Sequence, residues 1–158
     1  MQESKIFIDF DGVIFDTEAR IVKRKNLVPE LSWDEFFKEI DWFKLLDEAE
    51  IINNSVNYIL EKQKSNKNMA ILTKVHTLNE MIAKTEVLRD YKITVPIMFV
   101  PPRVSKTSIY LPSSGEILID DSLKNLEDWK SHGGIGIYFS EEKISSDFKT
   151  IKSLKKVL

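Results

Sequence analysis

The sequence predicts an α/β fold, a Rossmann-like parallel sheet with helices on both faces and a small helical cap inserted after the first strand. Three observations predict it. Short apolar runs recur along the chain and alternate with amphipathic stretches of helical length. Two of those runs end in aspartates, Asp9 and Asp11 after the first and Asp120 and Asp121 after the fourth. Between the first run and the second, residues 17–66 contain no glycine and only Pro29 as proline.

Residues 6–10 form a short apolar stretch closed by Asp11-Gly12, which reads as a buried strand ending in a turn. In residues 17–66, Trp33, Phe36, Phe37, Ile40, Phe43 and Leu46 recur at three- and four-residue spacing, which predicts two to four helices. Ser32 followed by Glu35 has capping-box form and opens one of them, with Pro29 in the loop before it. Residues 69–72 read as a second strand and 78–90 as the crossover helix that follows. Residues 96–100, bounded by Pro101-Pro102, make a third strand, and 116–119 a fourth. A helix over 123–129 is stopped by Gly133-Gly134, and 135–139 is a fifth strand. The tail, 149–158, reads as a short basic amphipathic helix covering the sheet. Residues 1–16 and 67–158 are therefore expected to form the α/β core domain and 17–66 the cap, with no internal repeat or low-complexity segment.

Composition narrows the partners. At 158 residues and 42% hydrophobic, the chain can bury one substantial core. Its 23 basic and 25 acidic side chains nearly cancel, for a net charge of −2, which gives no electrostatic case for nucleic acid or an anionic membrane. The absence of cysteine excludes disulfides, thiolate metal sites and thiol chemistry. The first apolar run is too brief for a signal h-region or a membrane span, so the expected location is cytoplasmic, as a monomer or homodimer.

Two carboxylates separated by one residue lie on one side of an extended strand, so Asp9 and Asp11 can address one site. Close carboxylates repel unless a cation or a shared proton compensates them, and Mg²⁺ suits such oxygen ligands. Asp120 and Asp121 would bring further carboxylates to the same cation. Either pair alone could equally be a turn or a helix cap; the two together, each directly after an apolar strand, favour a site.

Residues 9–17, Asp-Phe-Asp-Gly-Val-Ile-Phe-Asp-Thr, resemble the first motif of the haloacid dehalogenase superfamily. Ile71-Leu72-Thr73 resembles its second motif, Lys106 its third, and Leu118-Ile119-Asp120-Asp121 with Asn125 its fourth. The Asp-Asp form of the last motif is most similar to the deoxyribonucleotidase branch. The resemblance implies a Mg²⁺-dependent phosphomonoester hydrolase working through an aspartyl phosphate. Asp9 would be the nucleophile and Asp11 the acid/base, while Thr73 and Lys106 would hold the phosphate oxygens. Arg103 is the alternative cation to Lys106. The metal would be held by Asp9, the Asp11 carbonyl and Asp121, with Asp120 helping directly or through water. Phe15, Lys74, His76 and Arg103 are the expected substrate contacts, with Asp16 beside Phe15 next to the catalytic loop. The substrate would be a small phosphorylated metabolite, a nucleoside monophosphate first and a sugar phosphate or phosphoglycolate as the alternative. Trp33, Phe36, Phe37, Trp42 and Phe43 are expected mostly as cap core, with a nucleobase platform as the other reading. A phosphotransferase or mutase, or a non-catalytic binding module, could use the same fold. His76 is either a substrate contact or a surface histidine, and His132 fits a helix C-terminus.

Overall fold

A computed structural model describes residues 3–65 and 68–158; the expected domain junction at residues 66 and 67 and the first two residues lie outside it. Its strands are β1 (Ile6–Ile8), β2 (Met69–Lys74), β3 (Ile97–Val100), β4 (Ile117–Asp120), β5 (Ile135–Phe139) and β6 (Lys149–Ile151). They form one sheet of order β3-β2-β1-β4-β5-β6, and every neighbouring pair is parallel. The helices are α1 (Thr17–Asn26), α2 (Trp33–Glu39), α3 (Trp42–Glu48), α4 (Ser55–Ser65), α5 (Leu78–Asp90), α6 (Lys106–Ile109) and α7 (Leu123–Ser131).

The central strands are covered on both faces, which is why their sequences are continuously apolar. The two-residue alternation of a strand divides them between two cores. Ile6 and Ile8 of β1 join Ile71, Ile119 and Ile137 on one face, with Ala83 and Leu88 of α5 packed there. Phe7 points the other way, to Ala70, Leu72, Leu118 and Tyr138, under Leu126 and Trp129 of α7. Phe7 is fully buried, with its ring centroid 4.5 Å from Tyr110 and 5.2 Å from Trp129. The helices inserted after β1 belong to the first of these cores, since Trp42, Leu45, Leu46, Val56 and Ile59 pack into the same cluster as Ile8 and Ile71.

Local chemistry sets the element ends. Ser32 accepts from the Glu35 amide at 3.2 Å while Glu35 accepts from the Ser32 amide at 2.8 Å, the reciprocal capping box expected at the start of α2. His132 caps α7 at its carboxyl end, its Nδ1 2.8 Å from the Asp128 carbonyl oxygen.

The tail differs from expectation. Residues 149–151 are the edge strand β6, paired with β5, and only residues 154–156 turn, as a single 3-10 segment. Burial rises along β6 from exposed Lys149 to buried Ile151, so these three residues show no two-residue alternation from which a strand could be read among the surrounding lysines.

Sheet order places β1 between β2 and β4, where the chain, having built outward on one side through β2 and β3, returns to build on the other. Open parallel sheets bind ligands beyond the carboxyl ends of strands at such a reversal. Asp9, Lys74 and Asp120 stand at the ends of β1, β2 and β4 respectively.

Candidate active site

The Asp9 carboxylate is 9% exposed and lies 2.9 Å from the Lys106 ammonium. Lys106 opens α6, and it also reaches Asp120 Oδ2 at 2.6 Å. Asp120 is fully buried and held from three sides, because Oδ2 also accepts from Asn125 Nδ2 at 3.0 Å and Oδ1 from the Ser122 amide at 2.9 Å. Its oxygens are thus committed to protein donors, which leaves Asp121 as the freer of the two carboxylates.

Asp9, Asp120 and Asp121 each offer a carboxylate oxygen within 4.8 Å of the others. Burial pushes the Asp9 carboxyl up to about 7, aided by Asp120 and opposed by Lys106. Burial also raises Asp121, with Asp9, Asp120 and Glu18 adding to it, to about 10. Burial works against the Lys106 ammonium, but Asp120 and Asp9 outweigh it and hold its pKa above the ordinary lysine value. One lysine therefore compensates part of a concentrated negative charge, and the remaining demand is for protons or a hard cation with oxygen ligands. The donor set fits a divalent ion such as Mg²⁺.

The loop after β1 makes room for this arrangement. Gly12 has φ +76°, and a Cβ there would stand 2.0 Å from Asp121 Oδ2. The amides of Val13, Ile14 and Phe15 converge on the Phe10 carbonyl, closing the turn that follows the two aspartates.

Asp11 lines the same cavity as Asp9 but has its own partners, and both its oxygens are occupied. Thr17 Oγ1, at the start of α1, donates to Oδ1 at 2.5 Å, and Lys84 Nζ, from α5, donates to Oδ2 at 2.7 Å. Lys84 is fully buried and also meets Thr73 Oγ1 and the Lys74 carbonyl at 3.0 Å each, with Glu80 3.0 Å away. Burial would lower the pKa of Lys84, but Asp11 and Glu80 raise it above the usual value.

A cavity of about 270 Å³ opens over these groups. Asp9, Asp11, Lys106, Asp120 and Asp121 form its polar floor, and Ile21, Val22, Trp33 and Phe37 bring an apolar wall from the inserted helices. Phe37 stacks on His76, ring centroids 3.6 Å apart and planes at 12°.

No protein-family model and no curated protein matches the chain in sequence. Solved structures do match in three dimensions. A HAD hydrolase of family IA, variant 3, from Entamoeba histolytica superposes with a TM-score of 0.65 at 15% identity, over 98% of this chain and 95% of that one. The magnesium-bound HAD-hydrolase YfnB from Bacillus subtilis gives 0.65 at 12% identity, over 99% of this chain and 97% of that one. A dehalogenase gives 0.66 at 10% identity, over 98% of this chain and 95% of that one. The chain has the haloacid dehalogenase fold. The strand ends of that fold gather Asp9, Asp11, Lys106, Asp120 and Asp121 around one cavity, and Lys74 and His76 also line it.

Four expected contacts sit elsewhere on the haloacid dehalogenase scaffold. The Phe15 side chain is 1% exposed and packs on Phe10 and Tyr91, so it belongs to the core and not to the cavity wall. Asp16 accepts from the Glu50 amide and from Arg20, tying the insert together. Arg103 extends into solvent and pairs with exposed Asp34 at 3.0 Å, leaving Lys106 as the cation at Asp9. Thr73 is fully buried, and its hydroxyl is engaged by Lys84 instead of facing the cavity. Of the aromatic residues in the insert, Phe36 and Trp42 are core, Trp33 and Phe37 reach the cavity, and Phe43 is exposed away from it.

Sequence reasoning missed Lys84, Glu80 and Glu18. Glu80 and Lys84 are four residues apart on the stripe of α5 that also buries Leu88, and a charged pair on an apolar stripe was the available signal. Glu18 sits in the first turn of α1, where an acidic residue ordinarily reads as helix capping.

Proposed function

We propose that this protein is a Mg²⁺-dependent phosphomonoester hydrolase acting through an aspartyl phosphate, with a nucleoside monophosphate as its substrate class. The observation that carries the reading is the pairing of each aspartate of one loop with its own cation: Asp9 with Lys106, and Asp11 with Lys84. A dehalogenase of this fold would be expected to lack the second acid, so the presence of Asp11 on the cavity floor favours the phosphatase over that chemistry.

The residues divide the work as follows. An Asp9 oxygen attacks phosphorus, and the bond from phosphorus to the ester oxygen breaks. Asp11 gives its proton to the departing oxygen, yielding an alcohol and phosphorylated Asp9. Asp11 then takes a proton from a water molecule, whose oxygen attacks phosphorus, releasing phosphate and restoring Asp9. Lys106 opposes the negative charge on the transferring group. Mg²⁺ held by the Asp9 carboxylate, the Asp11 carbonyl and Asp121 would supply further charge compensation and favour ionised carboxylates. Asp120, bound to Lys106, Asn125 and the Ser122 amide, keeps the lysine aimed at Asp9.

Within the inserted helices, α1 and α2 act as the cover of the site, with Ile21, Val22, Trp33 and Phe37 facing the floor. An apolar wall containing two aromatic rings suits a nucleobase better than a sugar, since stacking tolerates any base.

Phosphate release from nucleoside monophosphates and sugar phosphates, with Mg²⁺ or with EDTA, tests the reading. Release that needs Mg²⁺, is abolished in Asp9→Asn and is fastest on a nucleotide is expected. Faster release from sugar phosphates would move the substrate class, and no release from any member would overturn the hydrolase.

A further inference from the structure

We infer that Lys84 is a positioning residue for Asp11, holding its carboxyl group in the one orientation from which it can exchange protons with the leaving oxygen and with water. This rests on the reading of Asp11 as the acid/base.

Lys84 stands on α5, away from every loop that carries the aspartates, yet its ammonium crosses to the loop after β1 and meets Asp11 Oδ2 at 2.7 Å. Burying an ammonium without compensation is costly, and Glu80, four residues earlier on the same helix and itself buried, already supplies the compensating charge at 3.0 Å. Charge balance therefore does not require the reach to Asp11. The side chain is over-determined in its place: beyond Asp11 and Glu80, Thr73 Oγ1 and the Lys74 carbonyl share its third hydrogen, each 3.0 Å from the nitrogen, and the Phe10 ring lies 5.0 Å from it. A group so constrained can fix its neighbour. Asp11 is the less enclosed partner, 24% exposed at the cavity floor, where a free carboxylate would rotate about its side-chain torsions. Thr17 holds one oxygen from α1 and Lys84 holds the other from α5, so the carboxyl plane is set by two helices on different sides of the loop. The second motif then has a changed task. Thr73, expected on phosphate, instead anchors the lysine.

The two half-reactions give this role a signature. Expulsion of p-nitrophenolate needs little proton donation, whereas attack of water on the aspartyl phosphate needs a positioned base. Pre-steady-state release of p-nitrophenolate from p-nitrophenyl phosphate with Mg²⁺ should be followed in the wild-type protein, in Asp11→Asn and in Lys84→Met. Lys84→Met is expected to reproduce Asp11→Asn, with a burst of about one nitrophenolate per chain followed by turnover slowed about 100-fold. Since Lys84→Met strips the ammonium from buried Glu80 Oε1 and leaves that carboxylate only its His76 contacts on Oε2, the pair Lys84→Met/Glu80→Gln is measured beside it, and the same burst is expected. A burst in Asp11→Asn with wild-type turnover in both Lys84 variants would overturn the inference. So would folded Lys84 variants that lose the burst together with turnover, because that reports damage to the Asp9 side of the site. Absence of any release by the wild-type protein would instead overturn the hydrolase reading, and this inference with it.

Discussion

At Gly12 a lone hydrogen faces the Asp121 carboxylate across a space that no Cβ can share, in a backbone conformation at φ +76° that L side chains rarely adopt. Gly12→Ala is therefore expected to displace Asp121 and to weaken Mg²⁺ binding at least 10-fold by roughly the cost of one strained residue. Titration of Mg²⁺ by calorimetry checks it, and unchanged affinity would contradict the close approach. The protonation of the neighbouring acids makes a second prediction. The folded pKa values of Asp9 and Asp121 are raised from 3.8 to about 7 and about 10. Folding binds their protons more tightly, so their contribution to stability is full below the unfolded value of 3.8 and is lost as pH rises through about 7 for Asp9 and about 10 for Asp121. In EDTA the melting temperature should fall between about pH 5.5 and pH 8 as Asp9 ionises beside the other acids, and Mg²⁺ should recover more of it at the higher pH. Binding of Mg²⁺ near neutral pH should release protons, seen as a heat that depends on the buffer's ionisation enthalpy. Equal heats in two buffers would argue that the acids are already ionised.

Among the elements, α2 depends most visibly on its cap. It has seven residues, too few to persist on propensity alone, and the Ser32–Glu35 box satisfies amides that would otherwise be left open. Ser32→Ala should cost about 1 kcal/mol, measured by denaturant unfolding. The same helix carries Phe37 to the cavity and against His76. Phe37→Ala is expected to raise KM for a nucleoside monophosphate about 10-fold while leaving that for a small sugar phosphate nearly unchanged, as loss of a stacking surface would. Equal effects on both substrates would mean that the ring serves only as packing. The capping box was legible in the sequence because its signal lies within four consecutive residues. β6 was not, because a three-residue strand at a sheet edge is made by its pairing with β5 and not by its own composition. The four residues of α6, which begins at Lys106, were equally silent as a helix.

For the molecule as a whole, the parallel sheet followed from the alternation of apolar runs and helical stretches, and the acidic floor from what ended two of those runs, whereas the reversal at β1 is visible only in the strand order. What the sequence withheld were contacts between distant segments. Lys84 meets Asp11 across 73 positions, and Arg103, close to Lys106 in the chain, is carried out into solvent toward Asp34. The sheet that brings these segments together rests on two cores, and Phe7 fills the centre of one of them. Phe7→Ala should cost about 3–5 kcal/mol in denaturant unfolding, since a fully buried ring leaves a cavity that the strands on either side cannot close. The central claim is that Asp9 carries the phosphoryl group and Asp11 is needed to remove it. It is tested most directly by mixing the Asp11→Asn protein with p-nitrophenyl phosphate and Mg²⁺, quenching in acid and mapping the phosphorylated peptide by mass spectrometry. One phosphoryl group per chain on Asp9, absent when Asp9 is also changed to asparagine, is the result expected. An unmodified Asp9, or a phosphoryl group on another residue, would contradict it.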